Sequence, residues 1–147
     1  MIRALTKNDR NNYLRMAHDF YHSPAVLQPV PDSYLERSFD EMMRSDVYMR
    51  GLIFEADGQT AGYVIISRTY SQEAGGPVAW IEEIYVKEEY RGNGLAHELF
   101  ARLREIEPAA RYRLETEPEN LRAKELYKSM GFTMLGYEQM VMDVCPL

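Results

Sequence analysis

The period at which apolar residues recur changes along this chain, and that succession restricts the fold more than any other feature. Residues 2–5 read as a short strand. A capping-box start at Thr6 and Asp9 follows, and Tyr13, Met16, Ala17 and Phe20 recur at helical spacing. Pro24, Pro29 and Pro31 make 21–31 a loop. Ser33 and Glu36 offer a second capping box, with Leu35, Phe39, Met42 and Met43 on one helical face. The pattern then turns to β: Met49–Ala56 and residues 60–70 are rich in Ile, Val, Phe and Tyr, and Asp57-Gly58 between them is a hairpin signature. Gly75-Gly76-Pro77 marks a connection into a further strand, 78–86. Helical spacing returns with Leu95, Leu99, Leu103 and Ile106 and stops near Pro108. Residues 111–116 read as a strand. Pro118 opens a helix bearing Ala123, Leu126, Tyr127 and Met130, ended by Gly131. Two last strands are expected at 132–137 and 139–144. The order β-α-α-β-β-β-α-β-α-β-β predicts an α/β fold: a mixed, mostly antiparallel sheet of six to seven strands flanked by about four helices.

With 147 residues and no repeat or linker, the chain suits one domain, 1–147. The formal net charge of −6 argues against a nucleic-acid partner, which calls for a basic face, and is compatible with a cationic acceptor. No apolar run approaches the ~20 residues of a membrane span. The polar N-terminus does not read as a signal peptide. Cys145 is the only cysteine and reads as a tail residue, so no internal disulfide forms and a cytoplasmic location is expected. No metal is expected: His18, His22 and His97 fall at no metal-site spacing with cysteines or carboxylates, and His18/His22 at i,i+4 lack a third ligand.

The chemistry concentrates where the strand 78–86 gives way, through Lys87-Glu88-Glu89-Tyr90, to Arg91-Gly92-Asn93-Gly94-Leu95-Ala96 and a helix. A helix N-terminus carries unpaired N–H groups and the positive end of the dipole, so it attracts anions. Gly92 and Gly94 let the backbone approach a ligand, Arg91 can add a bidentate cation, and Ala96 permits close packing. From these residues alone, a phosphate cradle and a simple capping turn are both open. A P-loop is excluded for want of Gly-Lys-Ser/Thr. A dinucleotide fingerprint is excluded because the junction has no third glycine and comes after four strands.

This stretch resembles the Gln/Arg-x-x-Gly-x-Gly/Ala motif of the GCN5-related N-acetyltransferases (GNATs). Asn120, Ala123, Leu126, Tyr127, Gly131 and Phe132 are similar to that family's next strand-helix block, about 25 residues on. The resemblance spans nearly the whole chain and implies a GNAT fold with acetyl-CoA as co-substrate. The donor would lie in a V-shaped gap between strands 81–86 and 111–116. Its pantetheine arm would pair with Ile84, Tyr85 and Val86, its pyrophosphate with the amides from Arg91 to Ala96, and Asn120 would hold it from the other side. Many relatives carry Lys or Arg where Asn93 stands, which shifts phosphate binding toward backbone amides and Arg91.

Acetyl transfer to an amine needs an acid for the leaving thiolate and a base for the nitrogen. On spacing alone Tyr127 packs on its helix's apolar face; the resemblance gives it the role of the acid. Glu82 and Glu83 sit together in an otherwise apolar strand, an expensive arrangement unless the strand is splayed or the charges have a purpose. Strand alternation predicts that they point to opposite faces. Both are candidates for the base; the resemblance favours Glu82, acting through water, with Glu83, Tyr21 and Tyr34 toward the acceptor. The activity implied is transfer of acetyl to a primary amine (a small amine, polyamine or peptide amino group) by direct attack in a ternary complex. A non-catalytic acyl-CoA-binding or sensing module is the alternative. A homodimer through the sheet edge or C-terminal strands is compatible with the resemblance.

Overall fold

The computed structural model describes residues 1–144; Cys145 lies outside the described residues. Its elements are β1 (Ile2–Ala4), α1 (Arg10–Tyr21), α2 (Asp32–Arg44), β2 (Met49–Ala56), β3 (Gln59–Ser71), β4 (Gly76–Val86), α3 (Leu95–Ile106), β5 (Arg111–Leu114) and α4 (Leu121–Ser129). The sheet runs in sequence order, β1-β2-β3-β4-β5. The first four strands are antiparallel neighbours and β5 is parallel to β4. Parallel neighbours need a crossover connection, and α3 supplies it.

Local chemistry accounts for the joints. The Thr6 amide and hydroxyl both donate to Asp9, closing the expected box ahead of a single 3-10 turn and α1. The Asp9 carboxylate also takes two hydrogen bonds from Arg3, which holds its pKa down at about 2. Asp57 and Gly58 both have positive φ, 53° and 72°, as a two-residue hairpin of matching twist demands. Helix α2 begins at Asp32, one residue before the expected cap, and its N-terminus has no side-chain cap.

Two layers of apolar side chains cover the two faces of the sheet. Tyr13, Met16, Ala17 and Phe20 of α1 and Leu35, Phe39 and Met42 of α2 pack against Ile53, Tyr63 and Ile65. Leu95, Leu99 and Leu103 of α3 pack against Leu52, Phe54, Val64, Ile66 and Ile81 on the other face. Below α3, the buried Glu107 carboxylate is paired by Arg68 at 2.5 Å and Arg50 at 3.1 Å, so its charge is compensated.

The expected strands at 132–137 and 139–144 do not form among the described residues, so the sheet has five strands. Residues 133–144 are exposed, with Met140 99% accessible. Alternating Met, Val and Tyr gives this segment strand propensity. Propensity makes a strand only where a ladder and a buried face reward it, and here it has neither.

Candidate active site

Strands β4 and β5 pair only from Val78/Arg111 to Ile81/Leu114. Beyond Ile81 the ladder stops, and among the described residues the edge of β4 from Glu82 to Val86 faces no strand on that side. At the end of this edge the chain makes a 3-10 turn and enters Gly92 and Gly94, with φ of 80° and 78°. These left-handed values strain any residue with a Cβ, and a Cβ at either position would meet nothing within 4 Å. Gly94 is the N-cap of α3, and the Glu98 amide donates to its carbonyl. An open strand edge thus leads straight to an open, solvent-facing helix start. That shape fits an extended amide-bearing arm ending in a pyrophosphate.

The flanking side chains are more engaged than expected. The Nε of Arg91 donates to the Val86 carbonyl at 2.8 Å, which docks the guanidinium at the strand end and leaves its Nη groups for an anion. Asn93 donates back to the Tyr90 carbonyl, and Asn120 accepts from the Ala123 amide at 3.2 Å as the cap of α4. Tyr127 is held edge-on to Phe100, with ring centroids 5.6 Å apart, and lies near Phe132. Burial alone raises its pKa, so the hydroxyl stays protonated at neutral pH.

The two carboxylates depart from simple alternation. Glu83 stands opposite Ile65 and Ile81 opposite Ile66, which leaves Glu82 as the extra residue of a β-bulge. The Tyr21 hydroxyl donates to Glu83 at 2.5 Å and the Tyr63 hydroxyl donates at 2.6 Å, both on the α1/α2 face. Ser67, two residues from Ile65 on that same face, donates from its hydroxyl to Glu82. The bulge therefore turns both carboxylates to one side of the sheet, correcting the opposite-face expectation. Their roles divide by environment: Glu82 is exposed, while burial raises the Glu83 pKa against the opposing effect of its two tyrosine donors.

Tyr21 reaches this cluster, but Tyr34 does not; it is 39% exposed on α2 with the Arg37 guanidinium 4.7 Å above its ring. Sequence reasoning missed Tyr63, whose burial gave no hint of a polar contact, and Ser67. It also missed Trp80 and Arg113, cross-strand partners that share the open face with Glu82; the Arg113 guanidinium lies 4.1 Å from the Trp80 ring centroid. The Arg-x-Arg alternation at 111–113 was the available signal. His18 and His22 stack at 4.0 Å, and His18 contacts Asp32. Among the described residues no group of three or more His, Cys, Asp or Glu is gathered as a metal would require.

The profile of the acetyltransferase (GNAT) family matches residues 13–132, so the chain belongs to the GNAT family and is an N-acetyltransferase. A thialysine N-epsilon-acetyltransferase from Bos taurus is 27% identical, the match covering 89% of this chain and 82% of that protein. The structure of AAC(6')-Iy in complex with the bisubstrate analog CoA-S-monomethyl-acetylneamine superposes with a TM-score of 0.79 at 20% identity, covering 99% of this chain and 98% of that one. Ribosomal-protein-alanine N-acetyltransferase from Brucella melitensis biovar Abortus 2308 gives 0.72 at 19%, covering 98% and 99%. The last two share the fold. No helix among the described residues is long and apolar enough to cross a membrane.

Proposed function

We propose that the protein transfers acetyl from acetyl-CoA to a primary amine in a ternary complex, with Glu82 as base and Tyr127 as acid. The observation that carries this reading is the run of open β4 edge from the Glu82 bulge to the Gly92/Gly94 helix start. The pantetheine arm would hydrogen-bond the backbone of Ile84, Tyr85 and Val86. Its pyrophosphate would take the amides of Gly92 to Ala96 with Arg91. Asn120, whose Oδ1 is occupied by its own helix, would use its amide donors on the arm. The relatives' names support the acceptor class, since the bovine relative is named for the side-chain nitrogen of an amino acid.

The amine nitrogen forms a bond to the acetyl carbon as the carbon–sulfur bond breaks. Glu82, through water, takes the proton the nitrogen loses, and Tyr127 gives the departing sulfur its proton. How much the base contributes depends on the acceptor. Freeing an alkylamine of pKa ~10.4 at pH 7 costs ~4–5 kcal/mol, against ~1.4 for a protein N-terminus near pKa ~8. Two tyrosine donors hold Glu83 in place, so it shapes the acceptor side rather than shuttling protons.

The test is a panel of amines and peptides assayed for acetyl-CoA-dependent thiol release, with Tyr127→Phe alongside. Turnover is expected to fall ~10²–10⁴-fold in the variant with acetyl-CoA affinity retained. An unaltered rate removes Tyr127 from the mechanism. Acetyl-CoA binding without thiol release for any acceptor would favour a sensing module.

A further inference from the structure

Beyond the bulge, the open face of the sheet carries three polar or aromatic groups in a row that the acetyl-transfer reading does not use together. Ser67 on β3, Trp80 on β4 and Arg113 on β5 are consecutive cross-strand neighbours, so they span two strand spacings, about 10 Å between backbones. The Glu82 carboxylate leans onto Ser67 at one end of this row. At the other end the Arg113 guanidinium lies on Trp80, 4.1 Å from the ring centroid. A negative head and a positive head therefore flank one partly exposed indole.

The arginine is held by an aromatic ring rather than by a carboxylate. Its neighbour on the same face, Arg111, is paired with Glu73 at 3.0 Å. Arg113 makes no ion pair among the described residues, although the chain carries an acidic excess of six charges. A guanidinium stacked on an aromatic ring keeps its in-plane N–H donors available, and that fork matches a carboxylate bidentately. Holding it on the indole also fixes it in advance, which reduces the ordering cost of binding. An acceptor with only amines would meet electrostatic attraction at Glu82 and repulsion at Arg113.

We propose that the acceptor is an amino acid with a side-chain amine: the reacting nitrogen lies at Glu82, the alkyl chain crosses Trp80, and Arg113 binds the carboxylate. This rests on the acetyl-transfer reading and narrows its acceptor. Arg113 and Trp80 would then determine specificity without touching the acetyl group.

The discriminating measurement uses matched acceptors that differ only in the carboxylate: lysine against 1,5-diaminopentane, and ornithine against 1,4-diaminobutane. In the full chain, kcat/KM is expected to favour the amino acid of each pair. In Arg113→Gln that preference is expected to fall about 10–100-fold, the scale of one charge-assisted contact, through KM rather than kcat. Arg113→Lys, which keeps the charge without the fork, is expected to keep part of it. Thermal midpoints of both variants separate a lost contact from a lost fold. A wild-type preference for the diamines, a preference unaltered in Arg113→Gln, or turnover of other amines with none for either pair would each overturn the proposal. Failure of acetyl-CoA to bind, or of every amine to release thiol, would instead strike the reading beneath it.

Discussion

The two walls of the proposed donor cleft are built very differently. The β4/α3 wall stands on the core: Ile81, Leu95 and Leu99 are all buried, Leu99 completely. The β5/α4 wall has almost none of that support. All four residues of β5 are half-buried, α4 buries no residue, and Leu121 is 67% exposed. Among the described residues, nothing beyond Glu107 is buried. The glycine-rich start of α3, the proposed pyrophosphate cradle, is thus fixed by packing before any ligand arrives, whereas Asn120 and Tyr127 ride on an element that a ligand spanning both walls would help to hold. Loosely packed elements open at low free energy, and a ligand that binds only the closed arrangement stabilises it by mass action.

Truncation on each wall is the strongest way to break that contrast. Leu99→Ala removes a fully buried side chain and is expected to cost ~2–5 kcal/mol in urea unfolding. Leu126→Ala, half-buried on α4, is expected to cost under ~1 kcal/mol, and hydrogen exchange in α4 is expected to slow on adding acetyl-CoA far more than in α3. Equal costs at both positions would show the second wall to be as firmly packed as the first.

A smaller effect sharpens the comparison within the firm wall. Gly94→Ala places a Cβ on a backbone at φ 78°, which costs ~1–2 kcal/mol whatever the surrounding space. The same Cβ would intrude on the proposed cradle, so acetyl-CoA affinity by calorimetry is expected to fall about 10-fold or more, beyond the loss of stability. A variant that loses stability alone would reduce Gly92 and Gly94 to a capping turn, the reading the sequence could not exclude.

How far the sequence could be read follows the same division. Helical spacing located α1, α2 and α3, and Asp57-Gly58 located the β2/β3 hairpin, because each is a local pattern backed by burial. The glycine pair was readable because left-handed backbone needs glycine at that place. The last two strands were misread because Met134 to Val144 has the composition of a strand without a partner. The bulge at Glu82 was out of reach for another reason: strand register is decided by two strands packing together, and alternation cannot announce its own interruption. Two adjacent glutamates in an apolar strand marked the place but not the geometry.

That geometry gives the smallest effect, and its sign is definite. Burial raises the Glu83 pKa above that of an unfolded glutamate, so the folded protein binds this proton more tightly than the unfolded one. Stability contributed by Glu83 is present at acid pH and is lost as pH rises from the unfolded value of ~4.3 through the higher folded one. Asp9 behaves oppositely: its pKa of about 2 gives a stabilisation present at neutral pH and lost on acidification from ~3.9 toward 2. Glu83→Gln keeps a partner for the Tyr21 and Tyr63 hydroxyls without the buried charge. The difference in unfolding midpoint, variant minus wild type, is therefore expected to become more favourable between pH 4 and pH 7, while turnover falls as the proposed acceptor side loses its negative field. A difference that moves the other way would mean that the two tyrosine donors outweigh desolvation, and that the carboxylate is held charged for stability rather than at its expense.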